Sequence, residues 1–351
     1  MRIGVFSKFD SSGGSEFRCA EMANALSRLP GFSAVLLAER DIPARIRAVV
    51  SDLVEVQDRV FLKPDLEHFY GVDRLLIVNT DSKDFTSLDY WHGKSPRHAF
   101  AVDLNRVRSM TFLFNFIVSP SIKLSTLSAH VPDIRIITAN KKFFDEIDAQ
   151  QRYCEVRHLP RLQLESPIDL RSISIEKSPS ATIRIGMHSK PLGNKWNSEI
   201  REVIHQVNHR HGSQVAWDFM GMPTAVAETI RDLPNVTIRK EFSVPVKDYL
   251  MGIDVFLYFQ GWKREEAWSR SAAEALASGC PVLAIPRGGN RDQIVHGENG
   301  YLCSSTDDFI RHCSLLIEQP EVRSRLRSQA IARAQDFSSE QVIQRFLAFL
   351  R

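Results

Sequence analysis

The sequence predicts an α/β protein of two consecutive domains, each built on a doubly wound parallel sheet. Its 351 residues exceed what a single core of ordinary size encloses. Short apolar runs alternate with amphipathic stretches in two separate series. That is the pattern of strand–helix–strand units with helices on both faces of a sheet. Between the series, over residues 160–181, periodicity stops and Pro160, Pro167, Ser172, Ser174, Ser178, Pro179 and Ser180 accumulate, which is a linker composition. The expected boundaries are 1–165 for the first domain, 166–180 for the linker and 181–337 for the second domain.

In the first series, residues 2–7 form an apolar run that predicts a buried strand. Ser11-Ser12-Gly13-Gly14-Ser15-Glu16 turns the chain into a helix over 15–29, with Ala20, Ala23, Leu26 and Leu29 toward one side. Pro30-Gly31 ends that helix, and 33–38, 75–79, 98–103, 116–119 and 134–138 are further strand candidates. The second series places strands at 182–187, 215–220, 236–238, 254–259 and 281–285. A helix over 269–278, closed by Gly279, lies between the last two. No repeat of solenoid length and no low-complexity tract interrupts either series. Ligands of open α/β sheets sit beyond the carboxyl ends of the strands. Two such domains aiming those ends at one cleft would hold a donor and an acceptor, and closure would exclude water.

The segment with the most chemistry is 265–284, EEAWSRSAAEALASGCPVLA. A strand ends near Phe259, a loop carries Glu266, a helix begins near Ser269 and holds Glu274, and Pro281 opens a buried strand. Backbone amides at a helix start, here Trp268 to Ser271 with Arg270 between, can bind phosphate oxygens, and the helix dipole favours the anion. A carboxylate before the helix can accept sugar hydroxyls. One inside it can take both hydroxyls of a ribose, as an acid does in dinucleotide folds. These features together fit a sugar diphosphate.

Glu266 and Glu274 enclose seven residues, and this E-x7-E spacing sits in the run Glu274-Ala275-Leu276-Ala277-Ser278-Gly279-Cys280-Pro281-Val282. Gly288-Gly289-Asn290 and His296-Gly297-Glu298-Asn299-Gly300-Tyr301-Leu302 follow. The whole resembles the retaining glycosyltransferases of the sucrose-synthase-like family 4, also called glycosyltransferase group 1. The resemblance covers most of 181–305 and, more weakly, 1–30. It implies the GT-B fold, two Rossmann-like doubly wound domains facing a central cleft, with a helix over 338–351 returning to the first domain. It implies that Glu274 binds the nucleotide ribose and Glu266 the transferred sugar. Lys195 matches the family lysine that meets the diphosphate. Met187 stands where the family has an arginine, and Lys190, three residues later, is the nearest cation to replace it. Gly14, with Gly13 before it, would face the diphosphate from the first domain. Gly221, at the end of a strand, and residues 241–244 would frame the nucleobase.

Relatives often carry a histidine where this chain has Asp103, which would orient the acceptor hydroxyl or cap the next helix. Asp81 and Lys94 are further candidates to line the cleft, and His92 and His98 lie near them as surface or packed residues. Ser11 to Glu16 is not the G-x-G-x-x-G of a dinucleotide fold.

The expected reaction is transfer of a hexosyl-type sugar, with retained anomeric configuration, from a nucleotide-diphosphate donor to an acceptor hydroxyl. The product would belong to a glycan, polysaccharide or glycolipid. Lys195, Lys190 and the helix start at Ser269 would stabilise the departing diphosphate. The nucleotide sugar is a co-substrate, and neither a further cofactor nor a metal is expected. Two alternatives keep the same architecture: a nucleotide-sugar epimerase, or a nucleotide-sugar-binding module without turnover.

Composition bounds the rest. A formal net charge of +3 is too small to imply nucleic acid. Five scattered cysteines without a CxxC pair argue against a disulfide framework or a zinc site and for a reducing cytoplasm. No apolar run approaches the ~20 residues that span a bilayer, and the first residues carry no leader pattern. Arg97, Arg106 and Arg108 would either form a solvated face or give peripheral contact with an anionic membrane surface.

Overall fold

The structure, a computed structural model, describes residues 1–7, 9, 14–58, 72–78, 107–114, 131–150, 156–175, 177 and 180–351. These residues form two compact units, Met1–Pro167 with Ser339–Arg351, and Ile168–Ser338.

The described residues of the first unit form seven strands: β1 (Arg2–Ser7), β2 (Ser33–Ala38), β3 (Glu55–Gln57), β4 (Arg74–Val78), β5 (Ser109–Phe114), β6 (Asp133–Thr138) and β7 (Arg161–Gln163). They lie in the order β3-β2-β1-β4-β5-β6-β7, and every pair is parallel. A parallel sheet must be covered on both faces, and alternate residues supply both cores. Phe6, Leu37, Ile77, Phe112 and Ile136 pack on one face. Val5, Leu36, Leu76, Leu113 and Ile137 pack on the other.

The second face also receives Cys19, Met22 and Leu26 from the helix Gly14–Ser27 and Val342, Ile343, Phe346 and Leu350 from the helix Ser339–Phe349 and its end. Full burial of each such large apolar side chain is worth roughly 1.5–3 kcal/mol. The returning helix is therefore part of this core, and Arg345 adds an ion pair to Glu165 at 2.7 Å.

The second unit repeats the plan with β8 (Ile183–His188), β9 (Val215–Met220), β10 (Val236–Arg239), β11 (Val255–Tyr258), β12 (Val282–Ala284) and β13 (Gly300–Leu302). The order is β10-β9-β8-β11-β12-β13, again all parallel. The two ends of this unit meet where the Ile168 N–H donates to the Phe337 carbonyl at 2.8 Å.

The strands read from sequence match to within a residue or two wherever the run exceeds four residues, with one difference. No strand is expected from sequence at 109–114, where the ladder with β4 and β6 places β5. The candidates at 98–103 and 116–119 fall outside the described residues. β3, β7 and β13, three residues each, are too short to show a period. β7 lies inside the stretch read as patternless, and its pairing with β6 makes it part of the first sheet. No described helix is long and apolar enough to cross a membrane.

Candidate active site

In the second unit the strand order reverses between β8 and β11, the point at which open α/β sheets bind ligands. β8 ends there at His188, and β11 ends at Tyr258 with Gln260 just beyond. Two loops leave these ends and are tied together. Trp196, buried, donates Nε1–H to the Lys190 carbonyl at 3.0 Å and folds the first loop on itself. Asn197 Nδ2 donates to the Gln260 carbonyl at 3.0 Å. The Asn197 N–H donates to the Phe259 carbonyl, also at 3.0 Å. This lacing brings Lys195 from one loop onto Glu266 from the other.

Lys195 Nζ, partly exposed, donates to Oε2 of the buried Glu266 in an ion pair. The same oxygen lies 3.2 Å from Gln260 Nε2, 3.4 Å from the Tyr258 hydroxyl and 3.4 Å from Arg264 Nε. Gln260 in turn donates to the Tyr258 hydroxyl at 2.7 Å. Burial alone would raise the Glu266 pKa, but the charges of Lys195 and Arg264 outweigh it and hold the carboxyl below its usual range. Burial pulls the Lys195 pKa down, Glu266 opposes that, and Arg264 and Lys190 add to the depression. Lys190 therefore lies close enough to act on Lys195. Around one carboxylate stand two cations in contact and a third nearby, an excess of positive charge suited to a polyanion.

The helix Arg270–Ala277 follows. Ser269 is its N-cap, and its Oγ accepts from the Ala272 N–H at 3.1 Å. At the other end the Gly279 N–H bonds the Leu276 carbonyl at 2.9 Å and the Cys280 N–H bonds the Ala275 carbonyl at 2.8 Å. These paired bonds close the helix and turn the chain into β12. Gln293 clamps the start of the helix: Oε1 accepts from the Ser269 N–H at 3.2 Å, and Nε2 donates to the Ser269 carbonyl at 2.8 Å. Of the amides expected to be open from Trp268 to Ser271, that of Ser269 is already bonded inside the protein, since a buried helix start must satisfy its own donors.

One turn into the helix, Arg270 Nε donates to Glu274 Oε1 at 2.7 Å. Burial raises the Glu274 pKa, and the Arg270 charge opposes it without reversing the direction. His188 Nε2 lies 3.7 Å from the other carboxylate oxygen, too far for a hydrogen bond, and it has no partner. Burial, then the Arg270 charge, lowers the His188 pKa to about 3, so the ring is neutral at pH 7. Glu274, Arg270 and His188 form a second polar cluster beside the first.

Glycines let the backbone of this region close up. A Cβ on Gly288, whose φ is +52°, would lie 2.2 Å from the Glu266 carbonyl oxygen. The next N–H, that of Gly289, donates to the same oxygen at 2.7 Å. The glycine pair is thus the floor on which Glu266 rests. Gly288→Ala is expected to lower the melting temperature more than Gly297→Ala. Gly297 shares a positive φ of +81° but has open space around its Cβ position. The control bears only the left-handed penalty of roughly 1–2 kcal/mol, and thermal melts of the two variants isolate the clash at Glu266.

Of the residues singled out from sequence, Lys195, Lys190 and Glu266 come together, and Ser269, Arg270 and Glu274 come together on the next helix. Trp268 is buried and packs edge-on against Phe337, ring centroids 5.6 Å apart, with Nε1 unpartnered. Its described contacts are those of a packed core ring. Gly221 has φ +83°, and a Cβ there would meet the Ser189 carbonyl oxygen at 2.0 Å, so tight packing of two loops already requires glycine at this position. Nearby, Phe242 holds φ +54°, an outlier for a bulky residue. Met187 is fully buried and offers the site nothing. Gly14 opens the helix Gly14–Ser27 in the first unit. Gly13, Asp103, Asp81, Lys94, His92, His98, Arg97 and Arg106 lie outside the described residues. Sequence reading passed over Arg264, Gln260, Tyr258, His188 and Gln293. For Arg264 and Gln260 spacing gave no signal, since both lie on the loop beyond the end of β11 at Tyr258.

Residues 234–333 match the family model for glycosyl transferases group 1. That stretch contains Glu266, the helix Arg270–Ala277 and the Gly288-Gly289 floor, while Lys195 precedes it. No curated protein sequence matches the chain. Solved structures do, over the whole chain. HepE of Anabaena, in complex with UDP, shares 15% identity over 100% of this chain and 99% of its own, with a TM-score of 0.72. A glycosyltransferase from Rickettsia africae shares 14% over 100% and 98%, with a TM-score of 0.73. Sucrose-phosphate synthase from Thermosynechococcus elongatus shares 12% over 100% and 98%, with a TM-score of 0.67. The fold is therefore that of GT-B glycosyltransferases, two Rossmann-like parallel-sheet α/β domains. Together with the family match, it supports a glycosyltransferase.

Proposed function

We propose that the protein transfers a sugar, with retained anomeric configuration, from a nucleotide-diphosphate donor to an acceptor hydroxyl, as the family 4 enzymes do. The observation that carries this reading is the ion pair of Lys195 with the buried Glu266, flanked by Arg264, one loop away from Glu274 on a helix inside the matched segment. In this reading Glu274 takes the ribose hydroxyls and Glu266 the hydroxyls of the transferred sugar. Lys195, Arg264 and Lys190 face the diphosphate as its bond to the sugar breaks. These cations, rather than a metal, carry the charge of the leaving group, and no protein nucleophile is required. Arg264 supplies the guanidinium that Met187 cannot. The acceptor would be a glycan or a lipid-linked sugar, and the reaction would take place in the cytoplasm or at its membrane face.

The HepE neighbour holds UDP, which makes UDP the first ligand to try. A thermal-shift screen of UDP, GDP and ADP and their glucose conjugates is expected to show one nucleotide raising the melting temperature. At a hundredfold excess over Kd the stabilisation is about 2.7 kcal/mol. Absence of a shift with every nucleotide would remove the donor assignment. A shift without release of free nucleotide, across a panel of acceptor sugars, would instead favour a binding module.

A further inference from the structure

The second unit carries another polar cavity, at the opposite edge of its sheet. It is a space of about 560 Å³ lined by Ile183, Asp254, Pro281, Lys177, Arg323 and Arg327, among others. Ile183 is the first residue of β8, and Asp254 and Pro281 immediately precede β11 and β12. The cavity therefore lies at the amino ends of the strands whose carboxyl ends carry Lys195, Glu266 and Glu274. A six-residue strand such as β8 separates the two edges by about 20 Å. This space is not an extension of the candidate active site.

Among the described residues, three cations line it against one acid. The hydrogen bonds of those cations among the described residues go to neutral groups. Arg323 Nη1 donates to the Leu316 carbonyl and Arg327 Nη2 to the Ile175 carbonyl. Lys177 Nζ donates to the Leu250 and Ile253 carbonyls and lies 3.2 Å from Cys280 Sγ. Three donors exhaust an ammonium, so Lys177 contributes charge without a free N–H. A guanidinium has five N–H groups, and each arginine spends only one in the bonds just named. Arg323 and Arg327 are four residues apart on the helix Pro320–Ala334 and so share one face. Two forks on one face match the oxygens of a phosphate.

Asp254 narrows the ligand further. Its Oδ2 accepts the Arg184 N–H at 2.8 Å, which leaves Oδ1 to accept from hydroxyls. A carboxylate repels a bare anion and favours one that carries hydroxyl groups beside its charge. The volume falls within the ~300–1,000 Å³ of small-molecule sites, and Ile183 and Pro281 give an apolar wall. We propose that this cavity binds a small phosphomonoester bearing hydroxyl groups, its phosphate on Arg323 and Arg327 and a hydroxyl on Asp254. The site is separate from the donor site and independent of the reading given to that site.

Calorimetric titration of the full chain with glycerol 3-phosphate, with inorganic phosphate and with glycerol tests this. Glycerol 3-phosphate is expected to bind more tightly than inorganic phosphate, and glycerol not to bind. Arg323→Gln with Arg327→Gln should weaken the ester at least about tenfold, whereas Lys195→Gln should leave it unchanged. If the double glutamine variant does not fold by circular dichroism, Arg323→Lys with Arg327→Lys retains the charge, removes the forks and should still weaken binding severalfold. Absence of binding at millimolar ester would overturn the proposal. So would binding that survives both arginine substitutions or disappears with Lys195→Gln. Inorganic phosphate binding as tightly as the ester would remove the hydroxyl-bearing ligand.

Discussion

Lys195→Ala is expected to lower kcat by about two to three orders of magnitude, the loss typical when one preorganised donor to a developing charge is removed. The donor Kd should change far less, because the charge that Lys195 meets grows mainly as the diphosphate departs. Pre-steady-state turnover with the nucleotide sugar found in the screen, set beside its equilibrium Kd, makes the comparison. The same substitution removes the partner of a buried carboxylate. Breaking a buried pair typically costs about 3–5 kcal/mol. Arg264, Gln260 and Tyr258 still reach Glu266 Oε2, so the stability loss should fall at the low end of that range. Lys195→Arg separates the two effects, since it keeps the charge and much of the stability while displacing the donor. Equal kcat in wild type and Lys195→Ala would remove Lys195 from the chemistry.

Glu274→Ala is expected to weaken nucleotide binding by about ten- to a hundredfold, the worth of hydrogen bonds to a charged group. The carboxylate must be ionised to accept both ribose hydroxyls. Because burial raises its pKa, nucleotide affinity should fall as the pH drops through a value above the ordinary carboxylate range. The loss would begin nearer neutrality than for an exposed glutamate. In Glu274→Gln this limb should vanish, leaving weaker and flatter binding. His188 does not obscure the result, since its pKa lies near 3 and it stays neutral throughout that interval. A nucleotide Kd unchanged in Glu274→Ala would sink the ribose assignment.

The doubly wound class was readable because parallel strands buried on both faces leave long apolar runs, as in β1, β2, β8 and β9. β5 was not readable, since Ser109 and Thr111 interrupt its apolar run and its pairing with β4 and β6 is what defines it. At the site, Glu266, Glu274 and Lys195 were legible because they recur at fixed places around a strand, a loop and a helix. Arg264 and Gln260 were not, since their part depends on where the chain points after β11, and spacing alone does not fix that. The bonding of the Ser269 amide was not legible for a related reason. Gln293 lies 24 residues beyond Ser269, and only the folded chain brings its side chain back to that one amide.

The helix Ser339–Phe349 completes the apolar layer of a sheet whose described strands all lie before residue 168. A ribosome makes those strands well before it makes that helix. The first unit must therefore wait, with Val5, Leu36 and Leu76 incompletely covered, while all of Ile168–Ser338 is synthesised. A nascent chain released before residue 339 would carry a finished second unit and a sticky, unfinished first one. Early termination should thus yield aggregates or protease substrates, not a working half.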